Sequence, residues 1–237
     1  MLQGCEFADE LVDVLGFSIG DPSLYMLAFT HKSAETQHPI KSAPRSYDRL
    51  EFIGDAVINL VVAWFLFLKY PEQPEGYLTR LRTKLVSGHC LSHISKRLNL
   101  HKFVRMNMKA LSNGWQYNDR ILEDVFEALV AAISLDKGLH IAQDFVLRCM
   151  LTHVAMTDIE TEDNFKDILM RYTQAHGVGL PIYNAHESFE FGKRQYEVTV
   201  CVQMKNSSDT VPTGFGVAYT KKKAEQEAAA HALSIIN

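Results

Sequence analysis

The sequence predicts two folded units in one chain: an all-α domain over residues 1–156, then a small α+β domain over 163–237 with element order α-β-β-β-α. Three observations predict it. Through residue 153 apolar side chains recur at intervals of three and four, the helical period. After the acidic stretch TDIETED, 157–163, the period shortens to two in segments such as YEVTVCV. The chain then closes on an alanine-rich stretch with helical propensity, 220–236.

Taken in order, helical spacing covers 8–16, 22–29, 48–69, 77–86, 88–98, 119–135 and 139–153. Pro39, Pro44, Pro71, Pro74 and Gly138 supply breaks between them, because proline and glycine interrupt helices. No convincing alternating strand occurs in this part. The polar run 157–163 reads as a linker. Beyond it, 164–176 is a short amphipathic helix, and 181–190, 195–203 and 214–219 are three short strands. There is no internal repeat and no low-complexity tract.

Composition narrows the function classes. An apolar content of 47% and a charged content of 22% are ordinary for a globular chain. Cys5, Cys90, Cys149 and Cys201 are scattered without a CxxC, so neither a disulfide framework nor a thiolate zinc site is expected, and a reducing, cytoplasmic compartment fits. The opening MLQGCEFADE has no signal-peptide order. The longest apolar run, 56–68, is interrupted by Asn59 and falls short of the roughly 20 residues of a membrane helix, so no membrane is expected. The net charge of −4 argues against a nucleic-acid binder taken whole. Residues 163–237, however, hold eight basic and eight acidic side chains, so any cationic surface there must come from clustering.

YDRLEFIGDAVINLVVAWFLFL, 47–68, sets Asp48, Glu51 and Asp55 on one stripe of a helix whose other faces are apolar. ILEDVFEALVAAISL, 121–135, repeats the arrangement with Asp124 and Glu127, three apart. A single acid at a helix start is explained by the macrodipole, which favours it by a few tenths of a kcal/mol. Glu123 is read as a solvated neighbour. Two helices each presenting an acid pair from an apolar context call for protons or cations, because such carboxylates repel. Hard oxygen ligands without cysteine or an evident histidine partner point to Mg²⁺ or Mn²⁺, suited to phosphate chemistry. Gly54, within the first of these helices, is expected to allow close approach of another backbone.

These residues resemble a known family. DRLEFIGDAV is similar to the ribonuclease III signature, usually written ERLEFLGD, and LEDVFEALVAA resembles that family's second acidic motif. LAFTHKS, 27–33, and PEGYLTRLRTKLV, 74–86, resemble its other elements. The resemblance implies an all-α catalytic domain in which Glu51, Asp55, Asp124 and Glu127 bind divalent metal, Mg²⁺ with Mn²⁺ able to substitute. Glu75, and Asp48 where the family usually has Glu, become auxiliary acids near the cleavage centre. It also implies a homodimer, with Phe52 packing across the two-fold; ordinary intrachain core is the alternative for Phe52. His31 stands at a family position and is read as structural.

Thr220 is a plausible N-cap for the last helix, and Lys221, Lys222 and Lys223 fill its first turn, where the macrodipole disfavours cations. A solvated charge run is one account; an anion site built from lysines and free backbone N–H groups is the other. The segments NFKDILMRYTQ and TKKKAEQEAAAHAL, with strands between, resemble the double-stranded-RNA-binding domain. That resemblance implies that Lys221, Lys222 and Lys223 grip phosphates, and that Gln174 and Arg171 on the first helix face a minor groove. Lys193 and Arg194, in a shortened loop without the family's usual histidine, are further candidate phosphate contacts.

Together the resemblances imply an endoribonuclease that hydrolyses phosphodiester bonds in double-stranded RNA, leaving 5′-phosphate and 3′-hydroxyl ends, in RNA processing or destruction. Arg80, Arg82 and Lys84 are either phosphate-positioning groups or a solvated face. The alternative function is a non-catalytic double-stranded-RNA-binding protein of the same architecture. A phosphohydrolase of small nucleotides is the third option, and it would leave the second domain without a purpose.

Overall fold

The computed structural model describes residues 4–37, 46–160, 164–190, 193–203 and 210–236. Pro39, Pro44, the expected linker residues 161–163 and residues 191–192 lie outside the described residues. The chain divides into two compact units, Met1–Glu160 and Thr161–Asn237.

The first unit is helical. It contains α1 (Gly4–Leu15), α2 (Pro22–Ala28), α3 (Asp48–Lys69), α4 (Glu75–Leu85), α5 (Gly88–Arg97), α6 (Met108–Ser112), α7 (Asp119–Lys137), α8 (Leu139–His153) and α9 (Met156–Glu160). Asp21, Ser87 and Asn118 cap α2, α5 and α7 by accepting from backbone N–H groups of the first turn. The core centres on α7, whose residues from Val125 to Ile133 are all buried, as befits a helix apolar on every face. α3 is long and apolar enough, by length and composition, to cross a bilayer. It buries Val57, Ile58, Val61, Val62 and Leu66 in this core and exposes the opposite side.

Two departures from the sequence expectation are instructive. The start of the acidic run 157–163 is not linker but the end of α9. Met156 and Ile159, three apart, pack against the core and outweigh the polar composition around them. Among the described residues, an isolated parallel bridge, Thr30 to Arg105, ties the α2 exit to the segment before α6. A lone bridge carries no alternation for a sequence to display.

Gly54 lies where α3 crosses α7. A Cβ at this position would land within the backbone carbonyl of Glu127, so the two helices touch backbone to backbone. Gly54→Ala should therefore force the helices apart and cost about 2 kcal/mol or more, read as a lower thermal midpoint of the helical unit. An unchanged midpoint would mean that the crossing yields freely.

The second unit is an antiparallel sheet, β1 (Ile182–Glu190), β2 (Lys193–Gln203) and β3 (Thr210–Ala218), in the order β1-β2-β3. The helices α10 (Phe165–Ala175) and α11 (Lys221–Ile236) pack with it around a core of Leu169, Val198, Val200, Ala224, Ala228 and Ala232. Gly214 and Gly216 admit α11 directly onto β3, since a Cβ at either would meet the carbonyl of Ala228 or Ala224. β3 begins four residues earlier than its pattern suggests. Its first half, TVPT, pairs across a bulge at Val200/Cys201 that sets Pro212 opposite Cys201. Proline is tolerated there because β3 is an edge strand.

Candidate active site

The α3–α7 crossing pools the carboxylates of both helices. Glu127 is the most enclosed, 7% exposed, directly beneath the crossing at Gly54. Burial pushes its carboxyl up to about 8, and the charges of Asp55, Glu123, Glu51 and Asp124 add to the shift. Burial also raises Glu51, reinforced by Asp124 and Asp48, while Arg120 opposes. Asp124 is raised by burial too, with Arg120 and a hydrogen bond from Tyr47 working against it. The Tyr47 hydroxyl donates to Asp124 Oδ2 at 3.3 Å, and the Asn59 amide donates to Asp55 Oδ1 at 2.8 Å. Each of these partners holds a carboxylate without neutralising it.

Asp48, Glu51, Asp55, Asp124 and Glu127 thus share one electrostatic cluster. Glu75 sits apart at the head of α4, exposed, accepting from the Thr79 hydroxyl at 2.7 Å. Glu123, read as a solvated neighbour, is a member instead. Its carboxylate lies over Gly88 at the start of α5, where no side chain competes for the space, and burial raises its pKa, with the charges of Asp124 and Asp55 adding to the shift. The clue in the sequence was its i,i+4 relation to Glu127. Arg120 was missed as well; it is one turn before Glu123 and acts on Glu51, Glu123 and Asp124. Among the described residues no ion pair ties any of these acids to a lysine or arginine.

Among the described residues no three acidic, histidine or cysteine side chains stand ready as a closed metal cage. The donor set nevertheless fits a hard divalent cation by its chemistry. It is all carboxylate, partly buried and mutually repelling, and without a cation its most enclosed member is driven to hold a proton. Beside it opens a cleft of about 540 Å³ whose lining includes Asp48, Glu51 and Asp124 together with Lys32, Arg120 and Trp115. His31 is buried at this cleft. Its Nδ1 accepts from the Ser33 N–H at 3.1 Å, and burial lowers its pKa.

Phe52 is 78% exposed, which excludes the intrachain-core alternative, and it shares the open side of α3 with Leu60, Trp64, Phe67 and Leu68.

In the second unit Lys221, Lys222 and Lys223 head α11 and are exposed, with the Thr220 hydroxyl accepting from the Lys223 N–H at 3.3 Å. Gln174 and Arg171 are exposed on α10, and Arg171 pairs with Asp167 at 3.0 Å. Lys193 and Arg194 belong to β2 rather than to a loop, because the two strands extend to within two residues of each other. Arg194 is engaged by both oxygens of Glu187 at 2.7 Å and lies over the Tyr196 ring.

Two family profiles match the chain. The one described as Ribonuclease-III-like covers residues 21–154, and the double-stranded RNA binding motif covers 165–236. The protein A464R of Paramecium bursaria Chlorella virus 1 is 37% identical over 97% of this chain and 80% of its own length. Ribonuclease 3 of Streptococcus agalactiae is 33% identical over 98% of this chain and 99% of its own. Among solved structures, the nuclease domain of ribonuclease III from Campylobacter jejuni covers 62% of this chain and 97% of that one, at 34% identity and a TM-score of 0.57.

Proposed function

The chain belongs to the ribonuclease III family and is a divalent-metal-dependent endoribonuclease of double-stranded RNA; from that premise we propose that Glu51, Asp55, Asp124 and Glu127 hold the cations. The observation that carries this assignment is the backbone contact at Gly54, which sets the acids of α3 beside those of α7. Mg²⁺ is the usual ion in this proposal and Mn²⁺ replaces it. Asp48, electrostatically coupled to Glu51 and Asp124, is an auxiliary acid in this proposal, and Glu75, at the head of α4, is the second.

Held by Glu51, Asp55, Asp124 and Glu127, divalent cations would supply Lewis-acid chemistry: a lowered pKa for the attacking water and charge neutralisation at the leaving 3′-oxygen. The chain's part is orientation and charge. Tyr47 and Asn59 keep Asp124 and Asp55 fixed in their rotamers. Glu127, in its enclosed position, supplies the carboxylate whose proton is exchanged for metal. Products carry 5′-phosphate and 3′-hydroxyl ends.

Residues 1–156 form the catalytic domain and 163–237 the RNA-binding domain in this proposal. Lys221, Lys222 and Lys223 contact phosphate, with Gln174, Arg171 and Lys193 beside them; Arg194 contributes only if Glu187 releases it. The apolar side of α3 around Phe52 and Trp64 is the homodimer face. The Campylobacter domain has a region involved in dimer formation, and an apolar stripe of this kind is otherwise costly to leave in water. Phe52→Asp with Trp64→Asp should convert a dimer to a monomer in sedimentation; a variant that still sediments as a dimer removes Phe52 from the interface. Cytoplasmic residence is part of the same proposal, consistent with Cys90, Cys149 and Cys201 as free thiols.

The deciding experiment is incubation of a defined RNA duplex with purified protein, with and without Mg²⁺ or Mn²⁺, followed by end mapping. Duplex left intact under both metals would overturn the assignment.

A further inference from the structure

The start of α10 is bolted to Glu225 and Gln226, one residue beyond the lysine triplet. The Lys166 backbone N–H donates to Gln226 Oε1 at 3.0 Å, and the Gln226 amide donates to Asn164 Oδ1 at 3.0 Å. Lys166 Nζ pairs with Glu225 Oε2 at 2.6 Å and lies 4.6 Å from the centre of the Tyr183 ring. The Glu225 side chain is only 15% exposed and that of Lys166 35%, so the pair is sheltered from solvent. These bonds join positions about 60 residues apart in sequence, at the two helix starts nearest the proposed phosphate grip.

Lys166 is therefore committed inside the domain, and its charge is spent on Glu225 rather than offered to a phosphate. Gln226 does the work of an N-cap for α10. Asn164, the residue in the cap position, makes no side-chain bond to that helix's own N–H groups. Two helix starts tied at three points hold a fixed spacing. Reading duplex shape needs such a spacing, because one helix must meet a minor groove while the lysines meet phosphates across the adjoining major groove. Charge alone attracts any duplex; only fixed geometry separates A-form from B-form.

We propose that Gln226 and Glu225 are positioning residues that set the spacing between α10 and the lysine turn, and so determine preference for RNA duplex over DNA duplex. The proposal rests on the assignment of this unit as the RNA-binding domain. Neither residue touches nucleic acid in it.

The test uses the full chain with metal chelated, so that nothing is cut, and compares RNA and DNA duplexes of one sequence and about 20 base pairs, longer than the ~16 that such a domain spans. Gln226→Leu removes two hydrogen bonds. It should weaken RNA binding about tenfold while leaving DNA binding unchanged, so the RNA:DNA ratio falls about tenfold. Glu225→Gln, milder, should move the ratio in the same direction. The salt dependence of RNA binding should stay as in the unsubstituted protein, since all three lysines remain. Thermal unfolding of each variant separates positioning from unfolding. A preserved ratio in folded variants, or equal weakening on both duplexes, overturns the proposal. Unsubstituted protein that does not prefer RNA overturns the underlying assignment instead.

Discussion

Glu127→Gln is expected to reduce cleavage of duplex RNA by about 10³-fold or more, while binding of the same duplex survives. The substitution keeps the side chain's size in a tightly packed place but removes the charge that a cation would meet. Retained cleavage would take Glu127 out of the metal set. A second measurement separates a missing ligand from a damaged fold. Without metal, the folded Glu127 carboxyl sits at about 8, above its ordinary 4.5, because of burial and its neighbouring carboxylates. The folded state then holds the proton more tightly than the unfolded chain. This contribution to stability is full below about pH 4.5 and is lost as pH rises through about 8, a total on the order of 5 kcal/mol. Metal-free Glu127→Gln should therefore be more stable than the unsubstituted protein at pH 8, and the advantage should vanish near pH 4.5. Added Mg²⁺ should stabilise the unsubstituted protein and leave the variant much less affected. A variant less stable at pH 8 would contradict the enclosed, repelled state of this carboxyl.

Replacing Lys221, Lys222 and Lys223 together by alanine should lower affinity for duplex RNA and flatten its salt dependence. Each phosphate left without its lysine reduces the slope of log K against log salt by about 0.9, so three such phosphates give a change of roughly 2 to 3. The same change moves affinity by on the order of 10² at moderate salt. Helix stability should not suffer, because cations at an N-terminus oppose the macrodipole and their removal relieves it. Cleavage at saturating RNA should persist, since the acids lie in the other unit. An unaltered salt slope would show the lysines to be a solvated run with no phosphate partner.

The two units, the helical class of the first and the α-β-β-β-α order of the second were legible because period is a local property of the chain. So were the acid pairs, since three- and four-residue spacing puts side chains on one face whatever the rest of the fold does. Gly54 carried a legible hint as well, a costly residue in an otherwise apolar helix. What lay beyond reach was partnership across the chain. Glu123 looks solvated next to Asp124 until α5 brings Gly88 beneath it. Arg194 looks like a free cation until β1 brings Glu187, two positions diagonal to it in the ladder, within reach. Phe52 looks like core until α3 turns it outward. Gln226 and Glu225 read as ordinary polar positions on an alanine-rich helix until α10 arrives about 60 residues from its partner.

Residue order alone dictates which side chains carry charge and on which helix face they stand, because dihedral geometry repeats every few residues. Which charges meet, how deeply each is buried and which are already spent on one another is settled in three dimensions. Those outcomes follow from long-range packing, and packing sets the dielectric and the distances on which every electrostatic energy here depends.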